Sequence, residues 1–316
     1  MVANFRDRPD FAASIDAAAE RLRFSAAIVE KDYWVTQALR ILARDFPADF
    51  IFKGGTSLSK GYRLIRRFSE DVDILVIQRE TKGATSATHT LMKQMASAVK
   101  DVLGGPVIVV SSETGVHRDV RVQYPAARKE TGGLPADVRL EAGIRGGPQP
   151  CERLLVGCLL ADALQQAGVS TTGFEDLQPF NVEVLHLGRT LMEKLGLVHS
   201  KLGADPSDQE ASKHARHYYD IYMLLGDDRA LAVLRDRAEF GRILESMREV
   251  NEWFGGGELR PASGWATSPA FDTASPAYRR LRRAYDSAMA ELHLGPGDPP
   301  SLDVIYARVA ELAELL

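Results

Sequence analysis

The chain has 316 residues, 45% hydrophobic and 26% charged, enough for one large domain or two modest ones with a substantial core. Its 39 Lys and Arg against 43 Asp and Glu leave a net charge of -4, which excludes binding of polyanions by bulk charge; a nucleic-acid partner has to meet a local basic patch. Only two cysteines are present, the N-terminus lacks the features of a signal peptide, and no segment approaches the roughly 20 apolar residues of a membrane span, so a cytoplasmic protein with no membrane partner is expected.

Residues 11–22 are Ala-rich with apolar positions at helical spacing. A second helix is expected from a Ser25 cap to Leu42, with Trp34, Ala38, Ile41 and Leu42 on one stripe. The triplet Glu30-Lys31-Asp32 lies just before that stripe, and periodicity leaves open whether it is a solvated first turn or a functional group. Phe50-Ile51-Phe52 reads as a short strand that runs into Lys53-Gly54-Gly55-Thr56-Ser57-Leu58-Ser59-Lys60. A helix over 57–65, capped by Thr56 or Ser57, would aim unpaired N–H groups and the positive end of its dipole at the glycine turn, an arrangement suited to anions. The segment lacks the Gly-Lys-Ser/Thr of a P-loop, and a Gly-Gly turn by itself more often marks a tight bend.

Asp73 opens the strand signal Asp-Ile-Leu-Val-Ile, so Asp71 and Asp73 project to one face. Adjacent carboxylates repel unless a cation lies between them. Mg²⁺ (or Mn²⁺) takes one or two carboxylates and completes its octahedron with water and phosphate oxygens. A plain acidic strand end is the alternative. Joined to the glycine turn, the pair reads as a metal and triphosphate site, with Asp71 and Asp73 as metal ligands and Gly54, Gly55, Thr56, Ser57 and Lys60 holding an NTP.

Further on, a helix is expected over 80–103, strands over 107–110 and 117–124, and a loop over 128–135 containing Gly132-Gly133. The strand 137–142 alternates, with Val138, Leu140 and Ala142 on one face and Asp137, Arg139 and Glu141 on the other. Two-metal phosphoryl transfer needs a further carboxylate. Glu141 is the candidate by strand position; pairing with Arg139 or Arg145 is its competing role.

Residues 151–167 read as helix, which would place Cys151 and Cys158 on one face as small buried groups rather than a disulfide or metal pair. Residues 174–187 read as irregular or extended. Beyond them the chain is almost wholly helical, over 190–202, 212–225, 229–254, 276–293 and 302–316, so a boundary is expected near 180, between a 1–180 core and a 181–316 helical part. Residues 255–257 and 261–276 read as a long loop, of a kind often functional. Lys194 and Asp220 either tie two helices together as a buried pair or act on a phosphate and a nucleophile. Arg279-Arg280 with Arg282-Arg283 is the concentrated positive run, on a solvated helix face or against an acidic polymer.

Glu30-Lys31-Asp32-Tyr33-Trp34, Phe52-Lys53-Gly54-Gly55-Thr56-Ser57-Leu58-Ser59-Lys60, Arg67-Phe68-Ser69-Glu70-Asp71-Val72-Asp73, Glu193-Lys194 and Arg216-His217-Tyr218-Tyr219-Asp220, with Ala284-Tyr285-Asp286-Ser287-Ala288-Met289 near the end, together carry a family likeness. The chain resembles the AbiEii/AbiGii-type toxin nucleotidyltransferases, the toxin half of abortive-infection, type IV-style toxin–antitoxin pairs, which include the MenT toxins. The resemblance implies an α+β protein: a mixed β-sheet nucleotidyltransferase-like core flanked by helices, with a helical C-terminal lobe across a cleft. It implies that Asp71 and Asp73 hold Mg²⁺, that Lys194 and Asp220 close the site, and that Ser69 stands beside the metal carboxylates. The family's last motif reads Arg-Asp-x-x-Asp, and here His217 stands in place of its first acid.

The expected activity is metal-dependent transfer of a nucleoside monophosphate from an NTP to an acceptor hydroxyl. The resemblance implies an RNA acceptor, a tRNA 3′ end, with translation blocked as the outcome, and a cognate antitoxin protein as partner. An antibiotic-modifying nucleotidyltransferase would share the core. A non-catalytic scaffold that binds RNA or protein is the alternative of another class, and the intact Asp71 and Asp73 argue against it.

Overall fold

The structure, a computed structural model, describes residues 3–78, 84–127 and 134–316. The start of the expected 80–103 helix and most of the expected 128–135 loop lie outside the described residues. The chain divides into two compact units. One comprises Met1–Tyr62, Ser69–Arg145 and Cys151–Val184; the other comprises Arg63–Phe68, Gly146–Pro150 and Leu185–Leu316.

The first unit is built on a seven-stranded mixed sheet. Its strands are β1 (Phe50–Lys53), β2 (Asp71–Val76), β3 (Val107–Glu113), β4 (His117–Gln123), β5 (Asp137–Gly143), β6 (Cys151–Val156) and β7 (Phe180–Leu185), in the spatial order β3-β4-β5-β2-β1-β7-β6. β2 runs antiparallel to β1 and parallel to β5, and β4 is antiparallel to both β5 and β3. Alternation divides the two faces: Val72, Ile74, Val120, Val122, Val138, Leu140 and Ala142 are buried on one, against helices, and the intervening polar residues lie on the other. Each such buried Val or Leu contributes about 1.5–3 kcal/mol relative to exposure.

Four helices of this unit are α1 (Phe11–Leu22), α2 (Ala26–Asp45), the short α3 (Gly54–Thr56) and α4 (Ala84–Leu103), and α5 (Leu159–Gln166) follows β6. Ser25 caps α2 as expected, its side chain accepting from the Ile28 N–H. Two expectations are overturned here. Residues 151–156 are a strand, because this short segment pairs at the sheet edge and β-pairing outweighs its helical pattern. Cys151 therefore lies on β6, while Cys158 is the buried residue whose Sγ accepts from Ala161 N–H at the start of α5; both are free thiols. The helix after β1 starts at Gly54, without a side-chain cap from Thr56 or Ser57, and continues as a single π-helical turn over Ser57–Gly61.

The second unit holds α6 (Leu187–Leu202), α7 (Asp208–His214), α8 (Arg216–Leu225), α9 (Asp228–Arg235), α10 (Arg237–Trp253), α11 (Tyr278–Leu292) and α12 (Leu302–Glu311). α6 is central, burying Leu187, Leu191, Met192, Leu195, Val198 and Leu202 against its neighbours. The expected 229–254 helix is two helices, because Asp236 leaves helical geometry and accepts from the N–H groups of Ala238 and Glu239 to cap α10. Likewise 212–225 is divided between α7 and α8. The 261–276 stretch packs as two short 3₁₀ turns around the fully buried Trp265, whose indole donates to Leu259 O at 2.8 Å. No helix among the described residues is long and apolar enough to cross a membrane.

Candidate active site

Strand register lays the polar face of the sheet out in rows. Asp73 of β2 stands between Lys53 of β1 and Glu141 of β5; beyond Glu141 come Asp119 of β4 and Ser111 of β3. The row beside it reads Asp71, Arg139, Arg121 and Ile108. Paired residues share a face, so Asp71, Asp73, Glu141 and Asp119 form one acidic surface with Arg139 set among them. The sequence-derived third carboxylate, Glu141, is thus directly opposite Asp73.

The glycine turn is packed onto this surface. Gly54 has φ +78°, and a Cβ built there would stand 2.0 Å from Asp73 Oδ2. Only a residue without a side chain allows that approach. Thr56 Oγ1 donates to Ser69 Oγ at 2.9 Å, linking the turn to the segment that leads into β2, and Ser57 Oγ donates to Gly54 O at 2.9 Å. Thr56 and Ser57 are fully buried, so their hydroxyls brace the turn instead of projecting from it. Lys60, expected to hold phosphate, is paired with Asp32 of α2 and lies 3.4 Å from Gly157 O. Asp32 also accepts from Leu159 N–H at 2.7 Å, which leaves the Lys60 ammonium in a buried joint between α2, the π turn and α5.

Arg139 answers the acidic surface. Its Nε and Nη2 donate to the two oxygens of Asp119 at 3.0 and 2.6 Å, while Nη1 is 2.7 Å from Glu141 Oε1 and 4.0 Å from Asp71 Oδ2. The fork on Asp119, reinforced by Glu141, raises the guanidinium pKa further. Glu141 is pushed up to about 8, first by desolvation and then by repulsion from Asp73, with which it shares a hydrogen bond. Arg139 only partly offsets this. A surface that retains a proton for want of positive charge, and offers oxygen ligands only, suits a hard divalent cation such as Mg²⁺ or Mn²⁺. Among the described residues no three acidic, His or Cys side chains close into a metal cage. Magnesium does not need one, since it keeps waters and substrate phosphates in its shell.

The Glu30-Lys31-Asp32-Tyr33-Trp34 run is not a solvated turn. Glu30 accepts from Ala127 N–H at 2.6 Å, Tyr33 donates to Asp176 at 2.6 Å, Trp34 stacks on Tyr124, and Lys31 is enclosed between strand starts. Periodicity leaves the surroundings of this run open because its partners lie in distant segments.

In the second unit, Lys194 of α6 and Asp220 of α8 form a buried pair with Nζ 2.8 Å from Oδ2. Arg67, from the inserted 63–68 segment, completes it by donating through Nε and Nη2 to both Asp220 oxygens at 2.7 Å. That segment is anchored by Phe68 N–H to Leu292 O and Leu294 N–H to Arg66 O, at 2.7 and 2.8 Å. Burial raises the Asp220 pKa, but Arg67 and Lys194 overcome it and hold the carboxyl well below its usual range. Lys194 is lowered, by burial first, against the attraction of Asp220. His217, the departure from the family motif, has Nδ1 3.2 Å from Lys194 Nζ; burial and that ammonium push it down to about 3, so it is neutral. Arg67 stands within the family motif without a role that the sequence assigns, and no local pattern marks Arg139 or Asp119 as part of the acidic surface. Arg67 and Asp220 are 153 positions apart, a pairing that no local pattern announces.

A mixed sheet with a glycine turn seated against an Asp-x-Asp strand, and a further carboxylate on the adjoining parallel strand, defines a nucleotidyltransferase core. The family model of the nucleotidyltransferase AbiEii toxins of type IV toxin–antitoxin systems matches residues 39–308, and the chain belongs to that family. The protein is accordingly a toxin nucleotidyltransferase, with an NTP as substrate and an antitoxin as its partner. Among solved structures the fold is similar to that of MenT4, a nucleotidyltransferase toxin from Mycobacterium tuberculosis H37Rv, with a TM-score of 0.50 and 18% identity over 95% of this chain and 97% of that one. No curated protein matches the sequence.

Proposed function

We propose that this toxin transfers a nucleoside monophosphate to an RNA acceptor, a tRNA 3′ end, and so blocks translation in the cytoplasm. The observation that carries the reading is the acidic surface of Asp71, Asp73 and Glu141 with Gly54 packed against it. Asp71 and Asp73 would hold Mg²⁺, which when bound polarises the phosphates and stabilises charge on the oxygens being exchanged. Glu141, opposite Asp73, would be free to take the proton of the attacking hydroxyl once positive charge at Asp71 and Asp73 relieves the repulsion that raises its pKa. In this reading the backbone of Gly54 and Gly55 meets the triphosphate, and Thr56, Ser57, Ser69 and Lys60 hold that backbone in place. Lys194 supplies positive charge to phosphate, oriented by Asp220. Asp220, 2.8 Å from Lys194 Nζ, holds that ammonium beside a neutral His217, and this fixed geometry supports the assignment. The RNA acceptor rests on the family likeness.

The test is incubation with each α-labelled NTP, Mg²⁺ and total RNA. Label on tRNA that is lost in Asp71→Ala is the expected result. Label on a small molecule alone would replace the acceptor, and RNA binding without label transfer would replace the reaction.

A further inference from the structure

Lys31, in the Glu30–Trp34 run, has its partners at the starts of the two strands that carry the candidate site's carboxylates. Its side chain is 1% exposed, and Nζ sits 2.8 Å from Glu70 Oε2, 2.9 Å from Pro135 O and 3.7 Å from Asp137 Oδ1. Glu70 immediately precedes Asp71, the first residue of β2, and Asp137 is the first residue of β5. These strands are parallel neighbours, and their register sets Asp71 beside Arg139 and Asp73 beside Glu141. The helix that carries Lys31, α2, packs on both strands, so the ammonium grips the two strand starts from a rigid support.

We propose that Lys31 is a positioning residue for the metal carboxylates: it clamps Glu70 and Asp137 and thereby fixes the spacing between Asp71 on β2 and Glu141 on β5. This rests on the reading of Asp71 and Asp73 as cation ligands. The physical need is clear at this end of the sheet. Asp71 is the terminal residue of its strand, where a ladder frays most easily, and the acidic residues on both strands repel one another. A buried ammonium shared by both strand starts opposes that separation. It does so without touching the cation, as outer partners that orient ligands do; losing such a partner typically costs about 10- to 100-fold in metal affinity. Lysine suits the task because a compact ammonium with three donors can serve two carboxylates and a carbonyl at once.

Mn²⁺ binding to the full-length protein, followed by electron paramagnetic resonance at a temperature where every variant is folded, tests the proposal. Glu70→Gln keeps the shape of a side chain that is 34% exposed, and Lys31→Met removes the clamp itself. Asp176→Asn is the structural control: Asp176 ties Phe5 N–H, Arg6 N–H and Tyr33 OH together and has no role in the site. Glu70→Gln and Lys31→Met are expected to weaken Mn²⁺ binding about 10-fold or more, and Asp176→Asn to lower the melting temperature while binding Mn²⁺ as the parent does. Should Lys31→Met not fold, Glu70→Gln decides alone. Wild-type affinity in Glu70→Gln, with binding lost in Asp71→Asn, would overturn the clamp and leave the metal reading standing. Equal binding by the parent and Asp71→Asn would overturn both.

Discussion

The backbone of Gly54 lies against the carboxylate of Asp73 so closely that one methyl group on residue 54 would stand 2.0 Å from Asp73 Oδ2 and 2.8 Å from its Cγ. Neither atom is the free end of a long side chain, and φ +78° adds strain for any L side chain. Gly54→Ala must therefore shift the turn, Asp73, or both by about an ångström, a displacement that can cost on the order of 100-fold in rate. Nucleotidyl transfer should fall by about that factor while circular dichroism stays native. Transfer at the parental rate would mean that the turn and the carboxylate are not one working unit.

The proposed cation on Asp71 and Asp73 would neutralise the same acidic surface that Arg139 does, so removing one should increase the effect of the other. Arg139→Gln leaves Asp71, Asp119 and Glu141 without their shared guanidinium, on the face that also carries Asp73. The variant should be less stable than the parent in the absence of divalent ions and gain more in melting temperature when Mg²⁺ is added, since a ligand stabilises by RT ln(1 + [L]/Kd). Scanning fluorimetry with Mg²⁺ and with an equal ionic strength of NaCl separates this from screening. An equal Mg²⁺ increment in both proteins would place the cation elsewhere.

The reach of sequence reading follows from the range of each interaction. Asp71, Asp73 and Glu141 were legible because period-two alternation assigns them to a face without knowledge of the partner strands, and the register then set Glu141 opposite Asp73. The surroundings of Lys60 and of the Glu30–Trp34 run are not legible in the sequence because they depend on a partner: the same ammonium grips phosphate in the open and braces a joint when Asp32 stands beside it. The strand at 151–156 was hidden because edge pairing, not local propensity, decides it. The break at Asp236 was visible in principle, as an aspartate inside a long helical pattern is a capping signal.

Asp220 contacts both Arg67 and Lys194 in a buried cluster. Asp220→Asn keeps the shape but removes the carboxylate that both buried cations contact, and breaking a buried pair from one side typically costs about 3–5 kcal/mol. Urea unfolding should show a midpoint shift of that order with an unchanged slope. A loss below about 1 kcal/mol, the range of an exposed pair, would mean that water reaches the cluster.

His217 gives the same cluster a pH signature. It faces Lys194 from α6, Asp220 and Arg216 on its own helix, and the His214 ring 5.9 Å away. Its pKa in the folded protein is about 3 against 6.5 for a free histidine, so above pH 6.5 it is neutral in both states and its contribution to stability is complete. As the pH falls below 6.5 the unfolded chain takes up a proton that the native protein refuses, and stability declines by up to about 1.4 kcal/mol per pH unit. Asp220, whose pKa is lowered in the fold, adds a loss of the same sign only below its ordinary value of 3.8. Between pH 6.5 and 4.5 the decline from this site belongs to His217, and His217→Gln, which cannot bind the proton, should flatten the curve there. Urea unfolding of both proteins at pH 8, 6.5, 5.5 and 4.5 measures the difference, in which the other histidines cancel. Parallel curves would show that His217 carries its proton in the native state, and the account of a neutral ring between Lys194 and Asp220 would fall.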